Sequence, residues 1–441
     1  MKRNKILFNL ILVLSLCSCN QELSGRWQTI FAPDFIKGIT GFSDNGDRYY
    51  SSSSPFNTVM NLNYFLNDKN GEENNKKLVD DISKIYSDEI SRLHKLFDRH
   101  LYYEDENNGI INNLKIINKS YGSNEEIVCS DELYQLLKEG VAAFELTDGV
   151  FNIFTGSISD YWSDIFSNAY NSTLDEIDPY FNENQRILLE NYVSRIPNTI
   201  EDINAQLTFN DQNKSVKFNK INIDADDEDK YRPIISVGGI GKGYATDIVK
   251  TKLVENNYLD GMLFSGGSSI SSLSTPIYSK DVKGQKISVV NPLTSNSFEK
   301  KLAFSIQISD EFNFSTSANN TSGKSYWFVD ENVDKNKVNY RHHILNPKTG
   351  YPESYHRSVS ILSYSFSNAM VDILSTTFMN LSTEDGLKFR EELLEKYPGS
   401  SLELFYIDQV GYGSNAAVKV IATSTVNDTL IVDESVELIY A

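Results

Sequence analysis

The spacing of apolar residues along the chain predicts helices and short strands. Between residues 79 and 97 the apolar side chains return every three or four positions, which places them on one face of a helix. Residues 133–144 have the same period. Both segments are interpreted as core helices, with the apolar positions Ile82, Ile85, Ile90, Leu93 and Leu96 in the first and Leu133, Leu136, Leu137, Val141 and Phe144 in the second.

Short apolar runs predict strands in the second half of the chain. Residues 234–237 form such a run, a glycine-rich turn follows at 238–243, and residues 244–253 have the pattern of a helix. The other runs of this kind are residues 262–264, 358–362 and 418–423. Together these elements predict an α+β fold, with mixed sheets and packed helices in a single domain.

The N-terminus has the layout of a secretory signal peptide. Basic residues precede an apolar run at 6–16, which is too short to span a bilayer permanently. Leu16, two small residues and Cys19 then resemble a lipobox, in which Cys19 is acylated; an ordinary signal peptide is the alternative. We predict a lipoprotein signal peptide at 1–19, a polar tether at 20–52 and a folded domain at 53–441, exported and lipid-anchored to the membrane of the cell envelope.

Composition narrows the possible functions. Of the 441 residues, 40% are hydrophobic and 12% are aromatic, which is enough for a real core. The formal net charge of -19 would repel nucleic-acid phosphates, and no basic stripe interrupts it, so nucleic-acid binding is not expected. In the lipidated form Cys129 is the only other mature cysteine, so no intrachain disulfide is expected.

The glycine-rich turn at 238–243 is a candidate phosphate site. Its amides can approach a phosphate closely, and the dipole of the following helix favours negative charge. It matches neither common nucleotide fingerprint, since a Walker loop has a hydroxyl residue where this chain has Gly243 and the dinucleotide pattern places its third glycine one position later. A plain tight turn is the alternative.

Asp372 and Thr376 form a candidate metal-binding pair. Ser367 can cap a helix through residues 368–380, and on that helix these two residues, four positions apart, share one face. A carboxylate and a hydroxyl are hard oxygen ligands suited to Mg²⁺, which commonly keeps waters and substrate phosphates as its other ligands. A purely structural Asp/Thr pair is the alternative.

His342 and His343 are candidates for proton-transfer chemistry. Residues 342–350 are interpreted as a strand that ends in a turn containing Pro347 and Gly350. Adjacent strand residues point to opposite faces, so the two histidines cannot chelate one metal; one can face a site while the other faces outward. A hydrogen-bonded structural histidine is the alternative.

The order of these segments resembles the FAD:protein FMN transferase (ApbE) family. That family has a glycine turn ending in Lys-Gly-Tyr-Ala, then Ser-Thr-Ser, then His-Ile-x-x-Pro-x-Thr-Gly, then Asp-x-x-Ser-Thr. The corresponding residues here are Gly241-Lys242-Gly243-Tyr244-Ala245, Ser315-Thr316-Ser317, His343-Ile344 through Gly350, and Asp372 with Ser375-Thr376. Residues 55–60 resemble the family's opening strand and residues 149–152 its flavin-contacting turn, so the resemblance covers residues 56–392.

The resemblance implies a site for FAD as substrate and for Mg²⁺. The metal would be held by the Asp372 carboxylate, the Thr376 hydroxyl and the main-chain carbonyl of Gly239. His343 would be the general base for an acceptor Thr or Ser, whose oxygen attacks the FMN phosphorus and expels AMP. The acceptor would be an exported or membrane flavoprotein. The residues implied to contact FAD are Phe56, Val150, Phe151, Asn152, Ser236 and Lys242.

This chain departs from the family pattern at four positions. These are Asn57 in place of Gly, Ser236 in place of Asp, Ala318 in place of Gly, and Asn346 in place of Asp. The change at Ser236 removes a carboxylate expected to contact FAD. Because the metal pair and His343 are retained, we predict an active, Mg²⁺-dependent FMN transferase in a single ApbE-like catalytic domain. Two alternatives stay open: an FAD diphosphatase with water as acceptor, and a non-catalytic flavin-binding lipoprotein.

Overall fold

The structure is a computed structural model that describes most of the chain after residue 24. The described residues are 25–31, 40–46, 48–50, 55–105, 107, 109–220, 229–275, 284–294, 300–319, 324–335, 337–412, 416–423 and 429–441. The predicted signal peptide and its lipidation site, Cys19, lie outside these ranges, as does part of the predicted tether. Across the described ranges, no helix combines the length and apolar character that a membrane crossing requires.

The strands fall into one large sheet and four small ones. In chain order they are β1 (Gly25–Phe31), β2 (Thr40–Phe42), β3 (Arg48–Tyr50), β4 (Met60–Asn67), β5 (Ile127–Val128), β6 (Leu207–Asn210), β7 (Ser215–Phe218), β8 (Gly261–Ser265), β9 (Ser269–Ser272), β10 (Gln285–Val290), β11 (Leu302–Ile308), β12 (Asn313–Ala318), β13 (Tyr326–Val329), β14 (Val338–Arg341), β15 (Ser358–Ser363), β16 (Glu403–Val410), β17 (Ala417–Ala422), β18 (Leu430–Val432) and β19 (Glu437–Tyr440).

The large sheet has the order β1-β4-β8-β9-β12-β15-β16-β17-β19. Its neighbours run antiparallel except at β17 and β19, which pair in parallel. The small sheets are β10-β11-β18, β5-β7-β6, β13-β14 and β2-β3. Within the described chain, this mixture of sheets and helices confirms the predicted α+β class.

Most of the helices lie in the first half of the chain. They are α1 (Glu72–Phe97), α2 (Leu114–Lys119), α3 (Asp131–Leu146), α4 (Gly156–Asn168), α5 (Leu174–Ile177), α6 (Glu183–Val193), α7 (Ile200–Gln206), α8 (Gly241–Glu255), α9 (Asn368–Met379) and α10 (Thr383–Lys396).

Most of the elements predicted from periodicity are confirmed. The two early helices are α1 and α3, and the runs at 262–264, 358–362 and 418–423 are β8, β15 and β17. The helix predicted at 244–253 is α8, which begins three residues earlier, inside the glycine motif. The helix predicted at 368–380 is α9, and its N-cap is Ser367, whose side chain accepts a hydrogen bond from the amide of Met370.

The strand predicted at 234–237 was wrong, although the segment is largely buried. Only Ile234 makes a bridge, to Thr155, and the segment joins none of the sheets of the described chain. The side-chain amide of Asn118 takes the place of a neighbouring strand: it donates to the carbonyl of Ile235 at 2.9 Å and accepts from the amide of Ile235 at 2.8 Å. The buried backbone is therefore satisfied without a β-ladder.

The predicted tether at 20–52 includes residues that belong to the folded body. Within that range Gly25–Phe31 forms β1, which pairs along its whole length with β4. Ile30 is buried in the core beneath this edge of the sheet, and Trp27 packs edge-on against Phe65 with ring centroids 5.5 Å apart. This burial and pairing place the start of the folded body before residue 53.

Helices α8 and α9 lie side by side and form the part of the fold that positions the candidate site. They contact each other, and α9 packs across β12 and β15 of the large sheet. The apolar face of α9, including Val371, Leu374 and Phe378, packs with Val359 and Ile361 of β15. The opposite side of α9 is thereby left facing α8 and the glycine turn.

Candidate active site

The starts of α8 and α9 meet through a hydrogen bond between the two helices. The amide of Gly243 donates to Oδ2 of Asp372 at 2.7 Å. A Cβ atom at Gly243 would lie 2.3 Å from the main-chain oxygen of Asn368, which is too close for any side chain. The glycine of the motif is therefore required for the close approach of the two helices.

Hydroxyl groups surround the other oxygen of the Asp372 carboxylate. Oδ1 accepts hydrogen bonds from Ser315 at 2.7 Å and from Ser269. Ser375 links this group to Ser317, with the two hydroxyl oxygens 2.8 Å apart. The buried carboxylate therefore has three donors for its roughly four lone-pair sites.

Thr376 lies one helical turn after Asp372 and faces the glycine turn. A Cβ atom at Gly239 would lie 3.2 Å from the Thr376 hydroxyl oxygen and 2.8 Å from the ring of Phe151. Within the part of the chain that the structure describes, the Thr376 hydroxyl has no hydrogen-bond partner. Its oxygen is therefore available to a ligand beside the backbone of Gly239.

These three groups fit the predicted magnesium site by their chemistry. Asp372 supplies a carboxylate, Thr376 a hydroxyl and Gly239 a carbonyl, all hard oxygen donors. In the described residues no group of three or more His, Cys, Asp or Glu side chains could hold a metal. A cation here would therefore depend on one carboxylate, on neutral oxygens and on waters or substrate phosphates.

His343 is near enough to Lys242, in the first turn of α8, for the lysine charge to act on the pKa of its ring. The strand predicted around it ends earlier, because β14 stops at Arg341. Although the His343 side chain reaches solvent, the protein atoms packed around the ring and the charges of Lys242 and Lys324 together lower its pKa to about 4. At neutral pH the imidazole is therefore uncharged and can accept a proton.

His342 has a structural role. The prediction that the histidine not used by the site faces outward from a strand was wrong, because His342 is buried and follows the end of β14. Its ring is fully buried, and Nδ1 accepts the amide hydrogen of Ile344 at 3.2 Å. Nε2 therefore carries the proton and donates to the carbonyl of Glu353 at 2.9 Å. Burial lowers the pKa of His342 to about 3, so this tautomer stays neutral.

Lys242 lies in the first turn of α8. Its ammonium donates to the carbonyl of Gly238 at 3.4 Å, which folds the side chain back over the glycine turn. A cation at a helix start is opposed by the helix dipole. Its position there is consistent with an anionic ligand that both the lysine and the helix amides would attract.

Phe151 of the predicted flavin turn packs directly on the glycine turn. Its buried ring touches the Gly239 position, while Val150 is half-buried. Asn152 uses its side chain inside the protein: Nδ2 donates to the carbonyl of Pro197 at 2.9 Å and Oδ1 accepts from the amide of Phe154 at 2.8 Å. Asn152 therefore shapes this turn through these internal hydrogen bonds.

Phe56 and Ser236 border the start of α8 from two directions. Phe56 has the left-handed φ of 57°, unusual for a bulky residue, and its amide donates to Nδ1 of His94 at 3.2 Å. Its ring packs on Phe97, which packs in turn on Tyr244 of α8. Ser236 lies before the glycine turn, with its amide bonded to the carbonyl of Ile153 at 2.7 Å.

Three of the four departures from the family pattern can be located. Asn346 still makes the expected turn, because Oδ1 accepts the amide hydrogen of Lys348 at 2.9 Å and Nδ2 donates to Glu353. Ala318 ends β12, and Ser236 leaves no carboxylate at its position. The side chain of Asn57 lies outside the described part of the structure.

The structure thus groups Asp372, Thr376, Lys242 and Phe151 around the glycine turn at the junction of α8 and α9. It shows no direct contact of Val150, Asn152 or Phe56 with that turn among the described contacts. Sequence reasoning missed Ser269, a donor to Asp372, and Asp247, which hydrogen-bonds the start of α9. Nothing in a short polar strand marks Ser269 as a partner of a residue 103 positions away. Asp247 follows the end of the glycine motif by two residues, and nothing in that position marks it as a partner of α9.

A family model and several solved structures relate this chain to ApbE proteins. The model of the ApbE family matches residues 56–398. Solved structures with the same fold include an ApbE protein of Thermotoga maritima (18% identity, TM-score 0.54, covering 86% of this chain and 94% of that one). A flavin transferase ApbE of Vibrio cholerae is 16% identical, with TM-score 0.55 and coverage of 92% and 100%. A Pseudomonas stutzeri flavinyl transferase ApbE in apo form is 14% identical, with TM-score 0.54 and coverage of 92% and 97%.

A search of curated protein sequences gave no significant match. The solved structures share the fold at low identity, and the family match extends over well more than half of the chain, from before the glycine turn to beyond the Asp372 and Thr376 pair. The chain therefore belongs to the ApbE family, the FAD:protein FMN transferase family that its ordered motifs predicted.

Proposed function

We propose that this protein transfers the FMN half of FAD to a Thr or Ser of an acceptor flavoprotein, in a Mg²⁺-dependent reaction that releases AMP. One observation carries the proposal: the oxygen-donor pair lies at the start of α8, together with a lysine whose charge acts on a neutral histidine. Asp372 is bonded to Gly243, the adjacent Lys242 acts electrostatically on His343, and Thr376 lies against Gly239.

Each residue has a defined task in this reaction. Lys242 and the amides at the start of α8 bind the pyrophosphate of FAD. Asp372, Thr376 and the Gly239 carbonyl would hold Mg²⁺, which when bound neutralises charge on the phosphates. His343 takes the proton of the acceptor hydroxyl, the new bond forms from that oxygen to the FMN phosphorus, and the bond to the AMP oxygen breaks.

Hydrolysis of FAD is the second candidate. It would use the same residues with water in place of the acceptor hydroxyl, giving FMN and AMP. The solvent access of the His343 side chain favours this possibility, since water can reach the base when no acceptor is bound. The third reading, a flavin-binding lipoprotein without catalysis, gives no reason for a neutral histidine beside the lysine and the oxygen-donor pair.

The two reactions are separated by mass spectrometry. The purified protein is incubated with FAD and Mg²⁺, with and without candidate acceptor flavoproteins, and the acceptor mass, FMN and AMP are measured. We expect the acceptor to gain one FMN per AMP released. FMN and AMP released in equal amounts, with acceptor mass unchanged for every candidate, would support the diphosphatase. No cleavage of FAD under any condition would contradict both.

We also propose that the protein is exported and anchored to the envelope membrane through lipid on Cys19. Support comes from the basic residues, the apolar run and the lipobox-like sequence that ends at Cys19. Fractionation of cells that express the wild type and Cys19→Ser tests this. We expect only the wild type in the membrane fraction; a Ser variant with unchanged mobility and membrane attachment would refute the anchor.

A further inference from the structure

Asp247 makes a contact that the reaction above does not use. It lies on α8, one turn after Gly243, and its carboxylate reaches across to the start of α9. Oδ1 accepts the amide hydrogen of Asn368 at 3.0 Å, and Oδ2 accepts that of Ala369 at 2.8 Å. These are the first two amides of α9, and Ser367 accepts from the next, that of Met370.

The contacts between the two helices are reciprocal. Asp247 of α8 accepts from amides of α9, while Asp372 of α9 accepts from the amide of Gly243 in α8. A negative charge at a helix start is favourable, because the free amides and the helix dipole are positive there. Two carboxylates therefore join the helices, one bonded to the first amides of α9 and the other to an amide in the first turn of α8.

This arrangement fixes the position of the metal pair. Asp372 lies three residues after Ala369, and Thr376 lies one further turn along the same helix. A shift or tilt of the start of α9 would therefore move both oxygen donors relative to the glycine turn. Because both Asp247 oxygens are engaged by amides of α9, the side chain acts on the site through that helix.

We propose that Asp247 is a positioning residue, which sets the Asp372 and Thr376 donors against the glycine turn by holding the start of α9. The proposal rests on the proposed function, because it concerns the same metal pair. A residue that only caps the helix for stability would change the melting temperature and leave the Mg²⁺ requirement of the folded enzyme unaltered.

The test compares Asp247→Asn with Asp385→Asn, a matched change near the start of the neighbouring helix α10, where Asp385 accepts from Ser382. Two quantities are measured on the full chain: hydrogen exchange of the amides at 368–372, and the Mg²⁺ concentration for half-maximal FMN transfer at saturating FAD. For Asp247→Asn we expect faster exchange and about 10- to 100-fold more Mg²⁺, as for groups that orient metal ligands. Asp385→Asn should change neither.

A second variant covers the case in which Asp247→Asn fails to fold. Asp247→Glu keeps the charge and moves the carboxylate by one methylene, so it should also accelerate exchange at the start of α9 and raise the Mg²⁺ requirement. Wild-type exchange, or a wild-type Mg²⁺ requirement, in whichever of these variants folds would overturn the proposal.

The design also separates this inference from the proposed function. If the wild type transfers no FMN, the proposed function fails, and Mg²⁺ binding is then followed by calorimetry in the presence of FAD. Weaker Mg²⁺ binding by the variants together with faster exchange at 368–372 would still support the role of Asp247. Unchanged Mg²⁺ binding would overturn it.

Discussion

The carboxylate of Asp372 accepts a 2.7 Å hydrogen bond from the backbone amide of Gly243, 129 residues earlier in the chain. This bond joins the candidate metal ligand directly to the glycine motif that is expected to bind the phosphates of FAD. Ser269 and Ser315 complete the set of donors around the same carboxylate. Changes to Asp372 should therefore affect the fold and the chemistry together.

Replacement of Asp372 by Asn should nearly abolish transfer. The amide keeps one acceptor oxygen but loses the charge that would hold Mg²⁺, so we expect a rate loss of about 10² to 10³-fold. Gly243 loses its acceptor if the new NH₂ group faces it, which should cost about 1 to 3 kcal/mol of unfolding free energy. Transfer rates, Mg²⁺ titration and thermal melts check both effects. A folded variant with the wild-type rate and Mg²⁺ dependence would refute the metal site.

Thr376→Val should leave the fold almost unchanged and weaken Mg²⁺ binding. In the described structure the Thr376 hydroxyl bonds nothing, so its loss should alter the unfolding free energy by about 0.5 kcal/mol or less. The adjacent Thr377 supplies a matched control, because its buried hydroxyl donates to the carbonyl of Ile373 at 2.8 Å. Thr377→Val should lower stability by about 1 kcal/mol and keep the Mg²⁺ requirement. A Thr376→Val variant that loses stability and keeps the wild-type Mg²⁺ requirement would assign Thr376 to helix packing.

The pH dependence of transfer should reflect the low pKa of His343. Because the free base is required and its pKa is about 4, the rate should fall only as the pH approaches 4, well below the ordinary histidine value of about 6.5. The same shift predicts that His343 lowers the stability of the fold as the pH falls from 6.5 through 4, because the unfolded chain binds the proton more tightly.

Lys324→Gln should move the acid limb of this profile to higher pH. The charge of Lys324 is one cause of the low pKa, while burial is the larger cause and would remain, so the shift should be partial. Lys335→Gln removes an exposed charge from the β13–β14 loop and serves as the control. An acid limb near 6.5 in the wild type, or one that both variants move equally, would argue against this environment for His343.

Gly243→Ala should force α8 and α9 apart. The added Cβ would meet the main-chain oxygen of Asn368 at 2.3 Å, and backbone cannot move aside as a flexible side chain can. We expect a loss of about 1 to 3 kcal/mol in unfolding free energy together with a loss of transfer. Gly238→Ala is the matched control for stability, because its nearest atom would be the Ser236 hydroxyl oxygen at 3.7 Å. Equal melting temperatures for the two variants would contradict this account of the helix contact.

The sequence by itself determined the elements that depend on residues close together in the chain. The apolar period of α1 and α3 fixes their helical faces, and Ser367 marks the start of α9 because an N-cap bonds an amide three residues on. The spacing of Asp372 and Thr376 places both on one side of that helix for the same local reason. The ordered motifs then identified the family.

The tertiary structure decided what depends on residues far apart in the chain. Residues 234–237 have the composition of a strand, yet the backbone of Ile235 is bonded by the side chain of Asn118, 117 positions away. Likewise β1, which lies within the range predicted as a tether, is held by pairing with β4. The donors to Asp372 and the contact of Asp247 with α9 also span the chain. Such partners are chosen by the packing of sheets and helices, because a hydrogen bond forms with whichever group the fold brings within reach, and no local pattern records that choice.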